Sequence, residues 1–151
     1  MNSSYDHSTR YFFDCAAKVT DSNLDNRHPN GWSARQVIHH MADSEVQSYV
    51  RLRRLLAEPA GSVIQGYDES AWAESASLAY ETLPIDTSLA TIAAVRASTS
   101  KILELVTSDH LELFGTHTES GKYSVSDWLE IYTRHPIEHG DQLIRALEGL
   151  E

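Results

Sequence analysis

The sequence predicts an all-α chain folded as an up-down-type four-helix bundle with a long crossover between the second and third helices. Three observations lead there. Apolar residues recur at helical spacing in four separate segments. No segment shows the strict alternation of a half-buried strand. An aperiodic stretch, residues 62–83, divides the four segments two and two, as a crossover in such a bundle would.

The first helix is expected over roughly residues 4–20, with Tyr5, Phe12, Ala16 and Val19 on one face. A turn-rich stretch from Asp21 to Gly31, with Asn23, Asn26, Pro29 and Asn30-Gly31, ends it. Ser33 is a good N-cap for the second helix, and Gln36 three residues on completes a capping box. This helix runs to about Ala57, where Glu58-Pro59-Ala60-Gly61 stops it. The crossover 62–83 reads as irregular, with one helical turn near Ser70–Ala76. The third helix, about Asp86 to Thr107, turns Leu89, Ile92, Thr99, Leu103 and Val106 inward. Residues 110–123 read as a loop punctuated by Gly115 and Gly121. Ser124 with Asp127 forms a second capping box and opens the fourth helix, to about Glu148.

Composition bounds the function. A chain of 151 residues is expected to form one domain, 1–151, with a core of its own. Residues 1–20 are interrupted by Asp6, Arg10, Asp14 and Lys18 and do not read as a signal peptide, and no apolar run is long enough to span a membrane. The single cysteine, Cys15, reads as a small buried residue and predicts a reducing, cytoplasmic setting. With a net charge of −10 and no basic stripe beyond Arg51, Arg53 and Arg54, the chain lacks the clustered cations that nucleic acid requires.

The chemistry is carried by three histidines. His135 and His139 are spaced i, i+4, which stacks two imidazoles one turn apart on one helix face. At about 100° per residue they share the apolar side of the fourth helix with Trp128, Tyr132, Leu143 and Ala146, so the pair points into the bundle. His40 lies at the edge of the apolar stripe of the second helix, and its neighbour His39 points away from it. Two helices packed side by side would bring the three rings to one divalent ion with open coordination positions, the arrangement of a catalytic rather than a structural site. Asp43, Glu138 and Gln142 are candidates to hold the second ring nitrogens. Glu138 is also the candidate general base. His135-Pro136-Ile137-Glu138-His139 matches the inverted zinc-protease pattern, but only twelve residues follow His139, too few for the distant carboxylate ligand of those enzymes. Pro136 removes a backbone donor and predicts a kink. Glu45, near the centre of an apolar stripe, needs either a buried partner or a route to solvent. Trp32 is expected to pack ahead of the second helix, Trp128 in the core near the histidine pair, and His117 at the mouth of the site.

These residues resemble the DinB/YfiT-like superfamily, with the nearer likeness to the YfiT group, assigned as metal-dependent hydrolases. The run Asn30 to Glu45 looks like the signature helix of that superfamily. Tyr67 to Glu74, His117 to Gly121 and Tyr132 to His139 extend the likeness over nearly the whole chain. Pro136 and Thr118 depart from its pattern. The resemblance implies a four-helix bundle, usually homodimeric, that binds a divalent metal (Zn2+ foremost, Ni2+ as the alternative) through His40, His135 and His139. The implied function is a metal-dependent hydrolase acting on a small-molecule substrate. The alternatives are an S-transferase using a low-molecular-weight thiol, or a metal-binding dimerisation module without turnover.

Overall fold

A computed structural model describes residues 2–150. Its helices are α1 (Asn2–Ala16), α2 (Ala34–Ala57), a short α3 (Glu69–Glu74), α4 (Asp86–Leu103) and α5 (Val125–Leu147). The four long ones form the bundle. α1 packs on α5, α2 on both α4 and α5, and α1 more lightly on α4, so α1 lies diagonal to α2 and α4 diagonal to α5, while α2 and α4, joined by the crossover, are neighbours.

Two apolar clusters fix the helix directions. One gathers Tyr5, Leu52, Leu103, Trp128 and Tyr132; the other gathers Phe12, Val37, Met41, Ile92 and Leu143. α1 and α5 therefore run from the first cluster to the second, while α2 and α4 run the opposite way. The order is up-down-down-up, and the crossover must travel the length of the bundle to start α4 at the same end as α2. On its way it passes the histidines.

Between the two clusters lies a buried polar layer. Glu45, fully buried, meets Arg96 of α4 at 2.7 Å. Arg96 also donates to Thr9 Oγ1 (2.5 Å), the Tyr5 carbonyl (3.0 Å), Ser8 Oγ (3.1 Å) and the Tyr132 carbonyl (3.2 Å). The last contact explains how α5 tolerates Pro136. Proline has no N–H to give the carbonyl four residues back, which is that of Tyr132. Arg96 supplies the missing donor, and α5 continues unbroken through Pro136 to Leu147. Gly140, one residue past His139, lets α1 come close: a Cβ there would stand 2.9 Å from the Tyr11 ring.

Both capping boxes form, Ser33 with Gln36 and Ser124 with Asp127. Three expectations are corrected. The first helix ends at Ala16 rather than near residue 20, because tight turns from Lys18 to Cys15 and from Val19 to Ala16 unwind it. The third ends at Leu103, short of Thr107. The segment 110–123 is not a loop: a 3-10 turn (Asp109–Glu112) leads into a hairpin of β2 (Phe114–His117) and β3 (Gly121–Ser124). β1 (Val63–Ile64) joins β2 in parallel, with Val63 opposite Thr116. These strands are too short, and too rich in glycine and polar residues, to show a period-2 pattern. The sheet fastens the start of the crossover to the α5 end of the bundle and so sets where residues 65–69 lie.

Candidate metal centre

His40 rises from the second turn of α2, and His135 and His139 from the middle of α5. The packing of α2 on α5 brings them together. His40 is fully buried, deeper than the stripe edge expected for it. Its Nε2 lies 3.2 Å from Nε2 of His139. Ring centroids are 4.2 Å apart for His135–His139, 4.6 Å for His40–His139 and 5.5 Å for His40–His135. One ligand nitrogen from each ring lies within 4.8 Å of the others.

The donor set fits a divalent ion. Two nitrogens at about 2.0–2.1 Å from a tetrahedral centre stand about 3.3 Å apart, and the His40–His139 separation matches. Protonation fits too. Burial, reinforced by the neighbouring His139, holds His40 down at about 3. Burial likewise puts His135 well below the usual histidine range and lowers His139. All three are neutral at pH 7, the form that donates a lone pair to metal. His139 Nδ1–H donates to Gln142 Oε1 at 2.6 Å, which leaves its Nε2 lone pair facing His40. Two such lone pairs 3.2 Å apart repel unless a proton or a cation lies between them.

Of the three residues expected to orient the rings, Gln142 alone does so. Asp43 accepts from the Tyr80 hydroxyl. Glu138 sits on the outer side of α5, 2.9 Å from Arg134 Nε, and lines a groove that runs past His139. His39 is tied away from the site by Ser88 Oγ (2.8 Å) and the Leu83 carbonyl (3.1 Å). His117 lies on β2, packed against Tyr123 at 5.5 Å, outside the three-histidine group. Trp128 is buried between Tyr5 and Tyr132 as expected.

A carboxylate that sequence reasoning passed over reaches the site. Glu69, the first residue of α3, has Oε2 4.0 Å from His40 Nε2. Burial raises its carboxyl above the usual range, against the pull of Arg51. Asp68, whose side chain caps Ala71 N at 2.9 Å, is the signal that could have placed a helix start here. The indole of Trp32, 5.0 Å from the His40 ring, walls the other side. Two cavities meet at Asn30–Trp32: one of about 370 Å³ with His139, Gln142 and Arg145 in its lining, one of about 610 Å³ bounded by Ala73, Tyr80 and Arg27. Both have the dimensions of small-ligand sites.

Comparison with known proteins gives the family and the fold. The DinB superfamily profile matches residues 4–143. A protein of Oceanobacillus iheyensis, provisionally named a metal-dependent hydrolase, is 38% identical over 109 residues, 72% of this chain and 61% of its own. One from Bacillus mycoides, with the same kind of name, is 32% identical over 120 residues, 80% of this chain and 67% of its own. The chain thus spans about three-fifths of the length of the first of these relatives. The solved structure of YfiT from Bacillus subtilis, described as a probable metal-dependent hydrolase with an unusual four-helix bundle topology, superposes with a TM-score of 0.85 at 25% identity, over 99% of this chain and 86% of that one. The profile match takes in all three histidines, the capped α2 that carries His40 and the α5 that carries the pair: this chain belongs to the DinB superfamily.

Proposed function

We propose that this chain is a metal-dependent hydrolase in which His40, His135 and His139 hold one divalent ion, Zn2+ in preference to Ni2+. The observation that carries this reading is the convergence of three neutral, buried imidazoles from two helices, with no thiolate or carboxylate among them. When bound, such an ion lowers the pKa of a coordinated water toward 7 and polarises a carbonyl. The chain's own residues supply the rest. Gln142 holds His139 in the ligand tautomer. Glu69, beside His40 and half-exposed, takes up the proton released there; Glu138, turned toward Arg134, is the carboxylate that lines the groove past His139. Trp32 separates the two cavities through which a small-molecule substrate enters.

Elemental analysis of protein purified without a nickel column is expected to find one ion per chain. The triple alanine variant at positions 40, 135 and 139 is expected to find none. Unchanged stoichiometry in that variant would overturn the assignment. A screen of hydrolysable esters and amides run with and without added low-molecular-weight thiol separates hydrolysis from S-transfer, since hydrolysis proceeds without the thiol.

The same reading includes a homodimer. Val46 and Val50, one turn apart on α2, are 42% and 45% exposed and offer an apolar strip to a second copy. Light scattering at micromolar concentration is expected to give twice the chain mass, falling to one chain mass in Val46→Glu/Val50→Glu. A wild-type mass of a single chain would refute it.

A further inference from the structure

We infer that Arg51, Tyr67 and Tyr123 form a receiving site, beside the three histidines, for an oxyanion group carried by the substrate. This deepens the hydrolase reading and rests on it. Of the three arginines clustered near the end of α2, Arg53 lies over the Tyr49 ring and Arg54 pairs with Glu58, both on the outside. Arg51 turns inward. It donates to Tyr132 Oη at 2.9 Å and to the Gln65 carbonyl at 2.9 Å, both neutral acceptors, and it makes no ion pair among the described residues. Its Nε–H is buried and bonds nothing.

The hydroxyls around it are in the same state. Tyr123 Oη is buried without a partner, and Tyr67 Oη faces Ser44 without completing a bond. The Tyr67 ring is 6.0 Å from the Arg51 guanidinium. Tyr132, which accepts from Arg51, has its ring 6.0 Å from that of His135, so Arg51 adjoins the metal centre. Burial raises both phenols above their ordinary range, which keeps them as donors. Buried donors left unpaired are destabilising, and a group of them around a cation that makes no ion pair, with the half-exposed Glu69 within its electrostatic reach, is suited to an anion that fills all of them at once. Three neutral imidazoles do nothing to offset a divalent ion next door, which leaves Glu69, 4.0 Å from His40 Nε2, set against both positive centres. The matching ligand is a small molecule whose scissile group reaches the histidines while its carboxylate or phosphate lies against Arg51.

The test uses the full chain loaded with cobalt, whose visible spectrum reports ligand binding at the metal. Azide probes the metal alone. Acetate and propionate are compared with the dicarboxylates from succinate to adipate, and 3-phosphonopropionate distinguishes phosphate from carboxylate. At least one dianion is expected to bind tenfold or more tightly than the matching monoanion. Arg51→Met and Tyr67→Phe are each expected to reduce that advantage below threefold, with azide affinity and cobalt stoichiometry unchanged. Tyr67→Phe removes a hydroxyl that bonds nothing, so its melting temperature should stay level or rise, and it decides the matter if Arg51→Met does not fold. Dianions that bind no tighter, or an advantage that survives in both variants, would overturn the inference while leaving the metal centre intact. A chain that takes up no cobalt would overturn the hydrolase reading first, and this one with it.

Discussion

Arg96→Met is expected to lower the unfolding free energy by about 3–5 kcal/mol, because it leaves the Glu45 carboxyl without its partner in the middle of the bundle, where burial already raises it. Glu45 is fully buried, and its Oε2 already lacks a partner, so nothing nearby can take over the charge. For a chain of this size each kcal/mol moves the midpoint by about 2–4 °C, which predicts a drop of roughly 6–20 °C in Tm. The variant also strips the donor from the Tyr132 carbonyl and from the hydroxyls of Ser8 and Thr9, while the Tyr5 carbonyl keeps the donors from those two hydroxyls. Glu45→Met/Arg96→Met removes the stranded carboxyl and should recover part of the loss, though not the bond to the Tyr132 carbonyl.

The role of Pro136 gives an internal control. Pro136→Ala in the Arg96→Met background restores an amide for the Tyr132 carbonyl and should return about 1 kcal/mol. In the wild type the same substitution finds that carbonyl already bonded and should return less. Urea melts read all four variants, and an Arg96→Met loss under about 1 kcal/mol would show that the polar layer relaxes around a missing partner.

The polar layer also shows where sequence reading stops. The helical period of Tyr5 and Phe12, of Ile92 and Leu103, and of Trp128, Tyr132 and Leu143 is legible because each element buries a face against its neighbours. The two capping boxes are legible because their residues are local. His135 and His139 were legible as a pair because one helix spaces them. Arg96 was not, since a lone arginine at an apolar register reads as a break in the pattern until Glu45 is seen 2.7 Å away on another helix. Glu69 and Arg51 were hidden for a different reason. Glu69 is placed by the pairing of Val63 with Thr116, some fifty residues apart, and Arg51 by its bond to Tyr132. No local pattern encodes a register between a two-residue strand and a hairpin, so the half of the site supplied by the crossover follows from tertiary structure alone.

Stripped of metal, the protein is expected to lose stability steadily as pH falls from about 6.5. An unfolded histidine titrates near 6.5, whereas His40 in the folded chain is held down at about 3 by burial and by His139. Between those values the unfolded state binds the proton and the folded state does not. Stability is therefore full above about 6.5 and falls with acidification, by about 1.4 kcal/mol per pH unit for each fully neutral histidine. His40 alone accounts for about 2 kcal/mol between pH 6.5 and 5 on that slope. His135 and His139 are lowered in the same direction, as are His39 and His117, chiefly by burial. Glu69 opposes them, because its raised carboxyl binds a proton more readily in the folded state. Asp25 and Asp127 act in the same sense as the histidines but only below about pH 4, outside this window. Urea melts of the apo chain from pH 7.5 to 5 should show the slope, and His40→Gln should flatten it by about 1.4 kcal/mol per unit. Zinc in excess should raise stability at pH 7.5 and progressively less toward pH 5, because the proton and the ion compete for the same lone pairs. A pH-independent apo chain, or a zinc effect equal at both ends of the range, would mean that these three rings are not the ones the ion holds.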